Sequence, residues 1–384
     1  GVEKADRLPG LEAEGQKSVT GGAAMPTRRS YEALIALPAF ELDFFGRLKN
    51  LSASALEQYL ATEEAALTAR LALVAEVASA YLDSRLAWER LRLTEANRKS
   101  WRSSLAFIEE RARSGQARLL DLEQARGMLE FAEANLADRR TEIVRAENAL
   151  KFLTGYFEDQ ELPEPLALQN WSPATLPEAV PSTVLLQRPD VLEAEHQLKA
   201  ALADIGVARA AFFPRLALTG SYGLMSGELG NRFTGSAAAW NFTPSLNLPL
   251  FAGGRNRANL DLAETRRETA VIQYEKVIQA AFRETADALL TRESRQRQFE
   301  AQRQYLATQR RVRELAVNQY QSGTVSYLEV LEAQRDVFEA EMTLLELRRE
   351  QLANEINLYL ALGGGLETAD PPAAPAAAPQ GEKL

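Results

Sequence analysis

The chain has 384 residues, of which 44 are basic and 53 acidic, so its formal net charge is −9. This balance argues against nucleic acid as the main partner, because phosphate binding needs a concentrated basic face. The sequence contains no cysteine and one histidine. Disulfides, thiolate metal sites, cysteine nucleophiles and sites built from several histidines are therefore excluded.

Membrane-targeting features are also missing from the sequence as it stands. No run of about 18 apolar residues occurs, so no transmembrane helix is predicted. The first residues lack the basic-then-apolar order of a signal peptide. If the protein meets a bilayer, we expect it to do so through β-strands.

In chain order, the sequence predicts a helix, two strands and a helical hairpin, and then the same order again. After Gly46 a helical pattern rich in Ala, Leu, Glu and Arg runs to Arg113 without Pro or Gly. The first copy, residues 1–155, is predicted to contain a helix stump at 1–8, strands at about 10–20 and 31–45, and a hairpin at 47–154.

The second copy, residues 189–365, is predicted to contain a helix at 189–212, strands at about 215–224 and 239–251, and a hairpin at 256–362. Residues 156–188, which are rich in proline, are predicted to be a linker. The composition of residues 366–384 predicts a disordered tail.

The strands are predicted from alternation, because successive strand side chains point to opposite faces. In the strand at 239–251 the apolar face contains Trp240, Phe242, Pro244, Leu246, Leu248 and Leu250. Its polar face contains Asn241, Thr243, Ser245 and Asn247. The weaker alternation at 31–45 predicts a shared face for Leu34, Phe40, Leu42 and Phe44. Strands of this kind are typical of a sandwich or a barrel.

The two copies align at a nearly constant spacing, which indicates an internal repeat. Gly254-Arg255 lie 208 residues after Gly46-Arg47, and Ser322-Gly323 lie 208 residues after Ser114-Gly115. By this alignment, the helix start that mirrors Pro189 would lie about sixteen residues before the first residue. We therefore expect the sequence to lack the N-terminal part of a longer protein.

The helix lengths predict how the helices pack. At ~1.5 Å per residue the helix at 47–113 spans on the order of 100 Å. The helices at 116–154 and 189–212 span about 58 Å and 36 Å, so end to end they roughly match it. A helix this long must pack as a coiled coil. We predict an α+β protein in which each half has one long helix antiparallel to two shorter, stacked helices.

No catalytic constellation is apparent. The carboxylates lie among Lys and Arg at helical spacings, which is typical of a solvated charged face. His196 has no accompanying Ser or Cys motif, which indicates a structural or surface histidine. Gly253-Gly254 lack the surroundings of a phosphate-binding loop. We predict that the protein is not an enzyme and has no cofactor or metal site.

The four predicted strands of about ten residues resemble transmembrane β-strands. Four strands cannot close into a barrel, and an open edge in lipid leaves backbone groups unsatisfied. If the strands span a bilayer, the chain must therefore form an oligomer, and three copies would provide twelve strands. The alternative interpretation of the pattern is a small soluble β-layer pinned between helices.

A family resemblance rests mainly on residues 185–223, LLQRPDVLEAEHQLKAALADIGVARAAFFPRLALTGSYG. This stretch resembles the signature of the outer membrane factor family, the TolC-like outer-membrane efflux proteins. Similar stretches are ELDFFGRLKN (41–50), LLDLEQAR (119–126), LPLFAGGRNRANLD (248–261) and YLEVLEAQRD (327–336). The resemblance covers nearly all of residues 1–365. It is to the lipoprotein branch, which works with resistance–nodulation–division pumps.

The resemblance implies a homotrimer with a twelve-strand β-barrel in the outer membrane of a Gram-negative bacterium. A long α-helical barrel would continue it across the periplasm. Members of the family are passive exit ducts that dock a periplasmic adaptor protein and an inner-membrane pump. They pass drugs, dyes, metals or other small molecules outward. On this basis we expect the chain to be the exit duct of a tripartite efflux system.

The resemblance also implies roles for individual residues. Adaptor hairpins would meet the turns at Ser114, Gly115, Ser322 and Gly323. The residues expected at the periplasmic gate are Glu329, Glu332, Asp121 and Tyr320. The two glutamates match a ring of acids, often Asp in the family, at the closed aperture. Asp121 and Tyr320 match positions that tie neighbouring helices. The expected junctions between helices and barrel are Pro9, Gly46, Pro214 and Gly254.

Two other functions stay open at this point. One is the outer channel of a protein secretion system driven by an ABC exporter, which the LLQRPD stretch at 185–190 disfavours. The other is a coiled-coil scaffold with a small β-domain, which would be soluble without detergent.

Overall fold

The structure is a computed structural model, and it describes residues 5, 7–22, 25–155, 167–171, 181–226 and 238–364. The strands are β1 (Glu12–Gly22), β2 (Met25–Leu42), β3 (Arg215–Ser226) and β4 (Ala238–Asn247). The α-helices are α1 (Arg47–Arg113), α2 (Leu119–Thr154), α3 (Pro189–Ala210), α4 (Arg255–Gln321) and α5 (Tyr327–Ala361). Two short 3-10 helices, Leu168–Asn170 and Ser182–Gln187, lie between α2 and α3 in the chain.

The four strands form one antiparallel sheet in the order β1-β2-β3-β4. Among the described strands, β1 and β4 each have one hydrogen-bonded neighbour and are the sheet edges. Directly opposed residues lie on the same face, so the register brings Ile35, Tyr222 and Trp240 together. These side chains are 57%, 65% and 77% exposed. One face of the sheet is therefore apolar and left open by the described chain.

A register shift in β2 corrects one expectation about the strand faces. Leu37 pairs with Gly220 and Phe40 pairs with Leu218, so β2 has one more residue than β3 between these pairs. Such a β-bulge reverses the two faces beyond it. Leu34 therefore lies on the face opposite Phe40. The prediction that these two residues share a face is wrong, because simple alternation takes no account of a bulge.

The strand bounds differ from the predicted ones. β2 spans Met25–Leu42 rather than about 31–45, because its polar first part pairs with β1. A polar run of this kind is hard to tell from a loop by sequence pattern. β4 ends at Asn247 rather than 251. It stops two residues before Pro249, which has no N–H to continue the ladder.

The two long helices, α1 and α4, each contain 67 residues and neither Pro nor Gly. Uninterrupted good helix formers allow such a length, and packing against other helices stabilises it. α1 contains the one window in the described residues that is long and apolar enough to cross a membrane by composition, with a hydropathy of 1.4. A single window is weak evidence for a membrane span. The sequence pattern does not predict this window, because no uninterrupted run of about 18 apolar residues occurs in it.

The chain divides into two compact units. One unit comprises residues 1–66 and 189–278, and it contains the sheet, α3 and the first parts of α1 and α4. The other comprises residues 67–188 and 279–384, and it contains α2, α5 and the remaining parts of α1 and α4. Each unit takes residues from both predicted copies. The internal repeat therefore stays an interpretation of the sequence.

Several predicted segments fall largely outside the described residues. Most of the stump at 1–8 does so, as does all of the tail at 366–384. The predicted linker at 156–188 is described only at 167–171 and 181–188. The first of these two linker pieces contributes Leu168, which is fully buried in the core of the second unit.

Candidate functional site

The turns that join the long helices to the short ones are built from the same hydrogen bonds. After α1, the N–H of Gly115 donates to Ala112 at 3.0 Å and that of Gln116 donates to Arg111 at 2.8 Å. Gly323 and the residue after it make the same pair of bonds after α4. This arrangement is the Schellman motif, in which glycine takes a left-handed backbone. The φ angles of Gly115 and Gly323 are +75° and +78°, which most side chains disfavour.

The serines beside these glycines bond to their own helices. The hydroxyl of Ser114 donates to the carbonyl of Arg111 at 3.0 Å, and that of Ser322 donates to Gln319 at 2.9 Å. Ser114, Gly115, Ser322 and Gly323 are all exposed. The tips are thus well-defined turns with open surfaces. Their contact with an adaptor stays a prediction.

Asp121, which is expected near the gate, is the third residue of α2 and is 4% exposed. Its carboxylate accepts a hydrogen bond from the Arg118 backbone N–H at 3.3 Å. The guanidinium of Arg118 donates to the same carboxylate at 3.0 Å. Hydrogen bonding to Asp121 raises the pKa of Arg118. The Asp121 carboxylate therefore caps the N-terminus of α2, where a negative charge is favourable.

Glu329 is the third residue of α5 and has a weaker form of the same arrangement. Its carboxylate accepts the Ser326 backbone N–H at 3.5 Å. Glu329 and Glu332 are both exposed. Residues three positions apart lie on the same side of a helix. The first turns of α5 therefore present two carboxylates on one open side.

Tyr320 lies in the core between the tips. The centroid of its ring is 5.3 Å from that of the Tyr327 ring. The guanidinium carbon of Arg111 lies 5.1 Å from the centroid of the Tyr320 ring. Burial raises the pKa of Tyr320; Arg111 opposes this increase and Asp121 adds to it. Burial also raises the pKa of Tyr327 to about 12. Both phenols are therefore neutral hydroxyls at physiological pH.

The structure brings two of the four expected gate residues close together. Asp121 and Tyr320 are near enough for the carboxylate to affect the pKa of the phenol, whereas Glu329 and Glu332 lie on an exposed side of α5. Sequence reasoning missed Tyr327, Arg111 and Arg118. The spacing of 208 residues could have helped, because it aligns Asp121 with Glu329 and Arg118 with Ser326.

Three of the four expected junction residues lie between a described helix and a described strand. Gly46 and Gly254 directly precede α1 and α4, with φ angles of +74° and +82°. Pro214 lies between α3 and β3, and Pro9 lies three residues before β1. A left-handed glycine lets the chain turn sharply into each long helix. Their role as helix–barrel junctions stays a prediction.

Side-chain contacts fix these turns. The rings of Phe45 and Phe213 stack at 4.7 Å with an angle of 11°. The amide of Asn256 donates to the carbonyl of Ala211 at 2.9 Å, so the start of α4 is tied to the end of α3. His196 of α3 lies 2.6 Å from the carboxylate of Glu57 of α1. This histidine therefore holds two helices together.

The described residues at the tips form turns and open surfaces. Within the ranges that the structure describes, no group of three or more His, Asp or Glu side chains could hold a metal ion. The acids at the tips cap helices or lie exposed, and the buried phenols are neutral.

Comparison with known proteins places the chain in a family. The outer membrane efflux protein family matches residues 1–156 and 180–364. The chain belongs to this family. The family is one of channels that work with efflux pumps, and its members are not enzymes. Membership removes the scaffold alternative.

Relatives within the family are similar over most of their length. The cation efflux system protein CusC of Escherichia coli O6:H1 is 44% identical over 364 residues, which are 94% of this chain and 79% of CusC. The toluene efflux pump outer membrane protein TtgI of Pseudomonas putida is 41% identical over 371 residues, 95% of this chain and 79% of TtgI.

A solved structure of an outer membrane channel is also similar to this chain. The open state of the Neisseria gonorrhoeae MtrE outer membrane channel is similar with a TM-score of 0.89 and 35% identity, covering 95% of this chain and 83% of MtrE. The predicted family, the role in efflux and the outer-membrane location are confirmed by these comparisons. The outer membrane efflux protein described here therefore has long helices and a small antiparallel sheet, as its solved relatives do.

Proposed function

We propose that the protein works as a homotrimer and is the passive outer-membrane exit duct of a tripartite efflux system. The observation that carries this proposal is the sheet, which has four strands and two edges. In lipid, each unpaired backbone group at an edge costs several kcal/mol. If β4 of one copy pairs with β1 of the next, three copies supply twelve strands and no edge is left.

The two faces of the sheet support a barrel that separates lipid from water. Trp240 and Leu246, on the apolar face, are 77% and 69% exposed within the chain. Asn241, Thr243 and Ser245 alternate with them on the opposite face. Outward apolar and inward polar residues are the pattern of membrane barrels with a watery interior.

Exposed apolar residues on the long helices support a second, helical barrel that would continue into the periplasm. Tyr59 of α1, and Ile272 and Leu290 of α4, are 65%, 66% and 68% exposed. Helices of this length pack along their apolar faces. In a trimer, these residues would be covered by helices of neighbouring copies.

At the far ends of the helices, we propose that Ser114-Gly115 and Ser322-Gly323 receive the hairpins of a periplasmic adaptor. Their exposure and their fixed Schellman geometry support this role. The adaptor would connect the duct to an inner-membrane pump of the resistance–nodulation–division type. The duct itself would supply no energy.

We further propose that Glu329 and Glu332 form the periplasmic gate, with Asp121 and Tyr320 tying helices beside it. Three copies would gather six carboxylates from α5 around one narrow opening. Such a ring attracts cations and repels anions. Like-charge repulsion between the carboxylates also favours opening.

The substrates of this duct are proposed to be small molecules chosen by the pump. Relatives of similar identity have names that refer to cations in one case and to toluene in another. Because relatives so similar to this chain are named for such different compounds, we propose that the duct itself selects weakly among them. The acidic gate would add a preference for cations.

Conductance of the purified protein in planar bilayers tests this function. We expect small cation-selective currents that increase, or lose selectivity, in Glu329→Gln/Glu332→Gln. The control is Glu130→Gln/Glu133→Gln, which removes two acids at the same spacing from α2 and should leave currents unchanged. Currents unaffected by the first variant would remove the gate assignment. No currents from correctly assembled protein would contradict the duct itself.

A further inference from the structure

One residue of the predicted linker, Leu168, is hydrogen-bonded through its backbone and buried through its side chain. The backbone N–H of Leu168 donates to a Glu89 carboxylate oxygen at 2.6 Å, and its carbonyl accepts the Arg348 Nε–H at 3.2 Å. Its side chain is fully buried and packs against two leucines of α1 and two of α5, namely Leu82, Leu86, Leu345 and Leu352. Glu89 belongs to α1 and Arg348 to α5. Leu168 therefore joins one helix of each hairpin.

Arg348 is the centre of this contact and is 8% exposed. Besides Leu168, its guanidinium donates to the carbonyl of Trp171 and, at 2.6 Å, to the side-chain oxygen of Gln351. Its guanidinium carbon also lies 5.4 Å from the centroid of the Phe299 ring. Burial lowers the pKa of Arg348. A buried cation is costly unless it is well hydrogen-bonded, and here two linker carbonyls provide that bonding.

Two ion pairs join the same helices beside Leu168. Asp83 of α1 pairs with Arg349 of α5 at 2.7 Å, and Arg90 of α1 pairs with Glu346 of α5 at 2.6 Å. These pairs are partly exposed and contribute modestly. The buried contact through the linker lies between them in sequence on both helices. It is therefore better shielded than either ion pair.

We propose that residues 167–171 act as a clasp that sets the spacing of α1 and α5. The linker then does more than connect the two halves of the chain: its backbone completes the packing between two helices from different hairpins. Glu89 and Arg348 act through the same residue, from opposite sides of its backbone. Loss of either side chain breaks one hydrogen bond to Leu168, and the packing of α1 against α5 becomes less stable. The clasp is a property of the chain and does not depend on the proposed duct.

Hydrogen exchange measured by mass spectrometry on the full-length protein tests the clasp. The variants are Glu89→Ala, Arg348→Met and the double variant. We expect each single variant to raise exchange at least about tenfold in peptides covering 82–91 of α1 and 345–352 of α5, because a buried group loses its partner. The double variant should add little to either single variant, because both remove the same clasp. Glu89→Gln retains an acceptor oxygen and should stay near wild type.

A matched control separates the clasp from general loosening. Arg295→Met breaks the pair between Arg295 of α4 and Glu350 of α5, which is 2.8 Å long and joins two described helices of one hairpin. Its effect should add to that of Arg348→Met. Fully additive effects of Glu89→Ala and Arg348→Met would overturn the clasp. Faster exchange confined to residues 167–171 would also overturn it, because the linker would then be held by the helices without positioning them.

Discussion

Arg90 is a residue at which we expect one substitution to loosen both hairpins. Its guanidinium lies 2.5 Å from Glu142 of α2 and 2.6 Å from Glu346 of α5, and its side chain is 18% exposed. Arg90→Met keeps most of the apolar stem but removes both ion pairs. Hydrogen bonds to charged groups contribute about 1.5–3 kcal/mol each when shielded.

The expected loss is smaller than twice that value, because solvent and a second arginine compensate in part. Glu346 is 49% exposed, and Glu142 keeps Arg139 at 2.6 Å. We therefore expect a loss of about 2 kcal/mol in local stability, or roughly thirtyfold faster exchange. Hydrogen exchange by mass spectrometry in α1, α2 and α5 measures this loss.

Arg102→Met is the matched control on the same helix. Arg102 also pairs with α2, but its 3.3 Å contact with Glu133 joins side chains that are 62% and 52% exposed. Exposed pairs contribute about 0–1 kcal/mol, so exchange should change by less than about fivefold. Equal effects of Arg90→Met and Arg102→Met would refute the reasoning from burial. An effect of Arg90→Met in α2 alone would refute the bridge to α5.

Three further predictions follow from single residues. Gly323→Ala should cost about 1–2 kcal/mol in thermal unfolding because its φ is +78°, whereas Gly127→Ala inside α2 should stabilise slightly; the same sign for both would contradict this. Burial alone would raise the pKa of Glu142, but hydrogen bonds from two arginines outweigh burial and lower this pKa below 4.5. The ionised Glu142 therefore stabilises the fold above pH 4.5, and this stabilisation is lost as the pH falls below that value. Glu142→Gln should therefore flatten the acid unfolding curve by circular dichroism between pH 5 and 3, and an unchanged curve would count against it. An ultraviolet titration should show one tyrosine with a midpoint of about 12 that Tyr327→Phe removes; a lost component near pH 10 would disprove the burial argument.

Local signals in the sequence account for the helices and turns. α1 begins directly after Gly46 and ends directly before Ser114-Gly115, because a long run without Pro or Gly ends where left-handed glycines turn the chain. The faces of β4 follow from alternation alone. In these cases the deciding interactions are within a few residues of one another.

Features that depend on distant residues were not predictable in this way. The bulge in β2 appears only when Leu37 and Phe40 are matched to their partners in β3. The burial of Leu168 depends on Glu89 and Arg348, which are 79 and 180 residues away. Proximity in sequence carries no information about such contacts.

In the candidate gate, the sequence predicts the position of each acid in its helix but not its burial. Asp121 and Glu329 have the same position in their helices, yet Asp121 is buried and paired with an exposed Arg118, while Glu329 is exposed. Sequence spacing gives the position in the helix. The surrounding core decides which acid is shielded.

The central claim is that three copies close one barrel, and native mass spectrometry of the detergent-solubilised protein tests it most directly. We predict a dominant complex of three chains of 42.4 kDa each. A folded monomer or dimer that keeps its strands in detergent would contradict the account, because a four-strand or eight-strand assembly could not form the proposed duct.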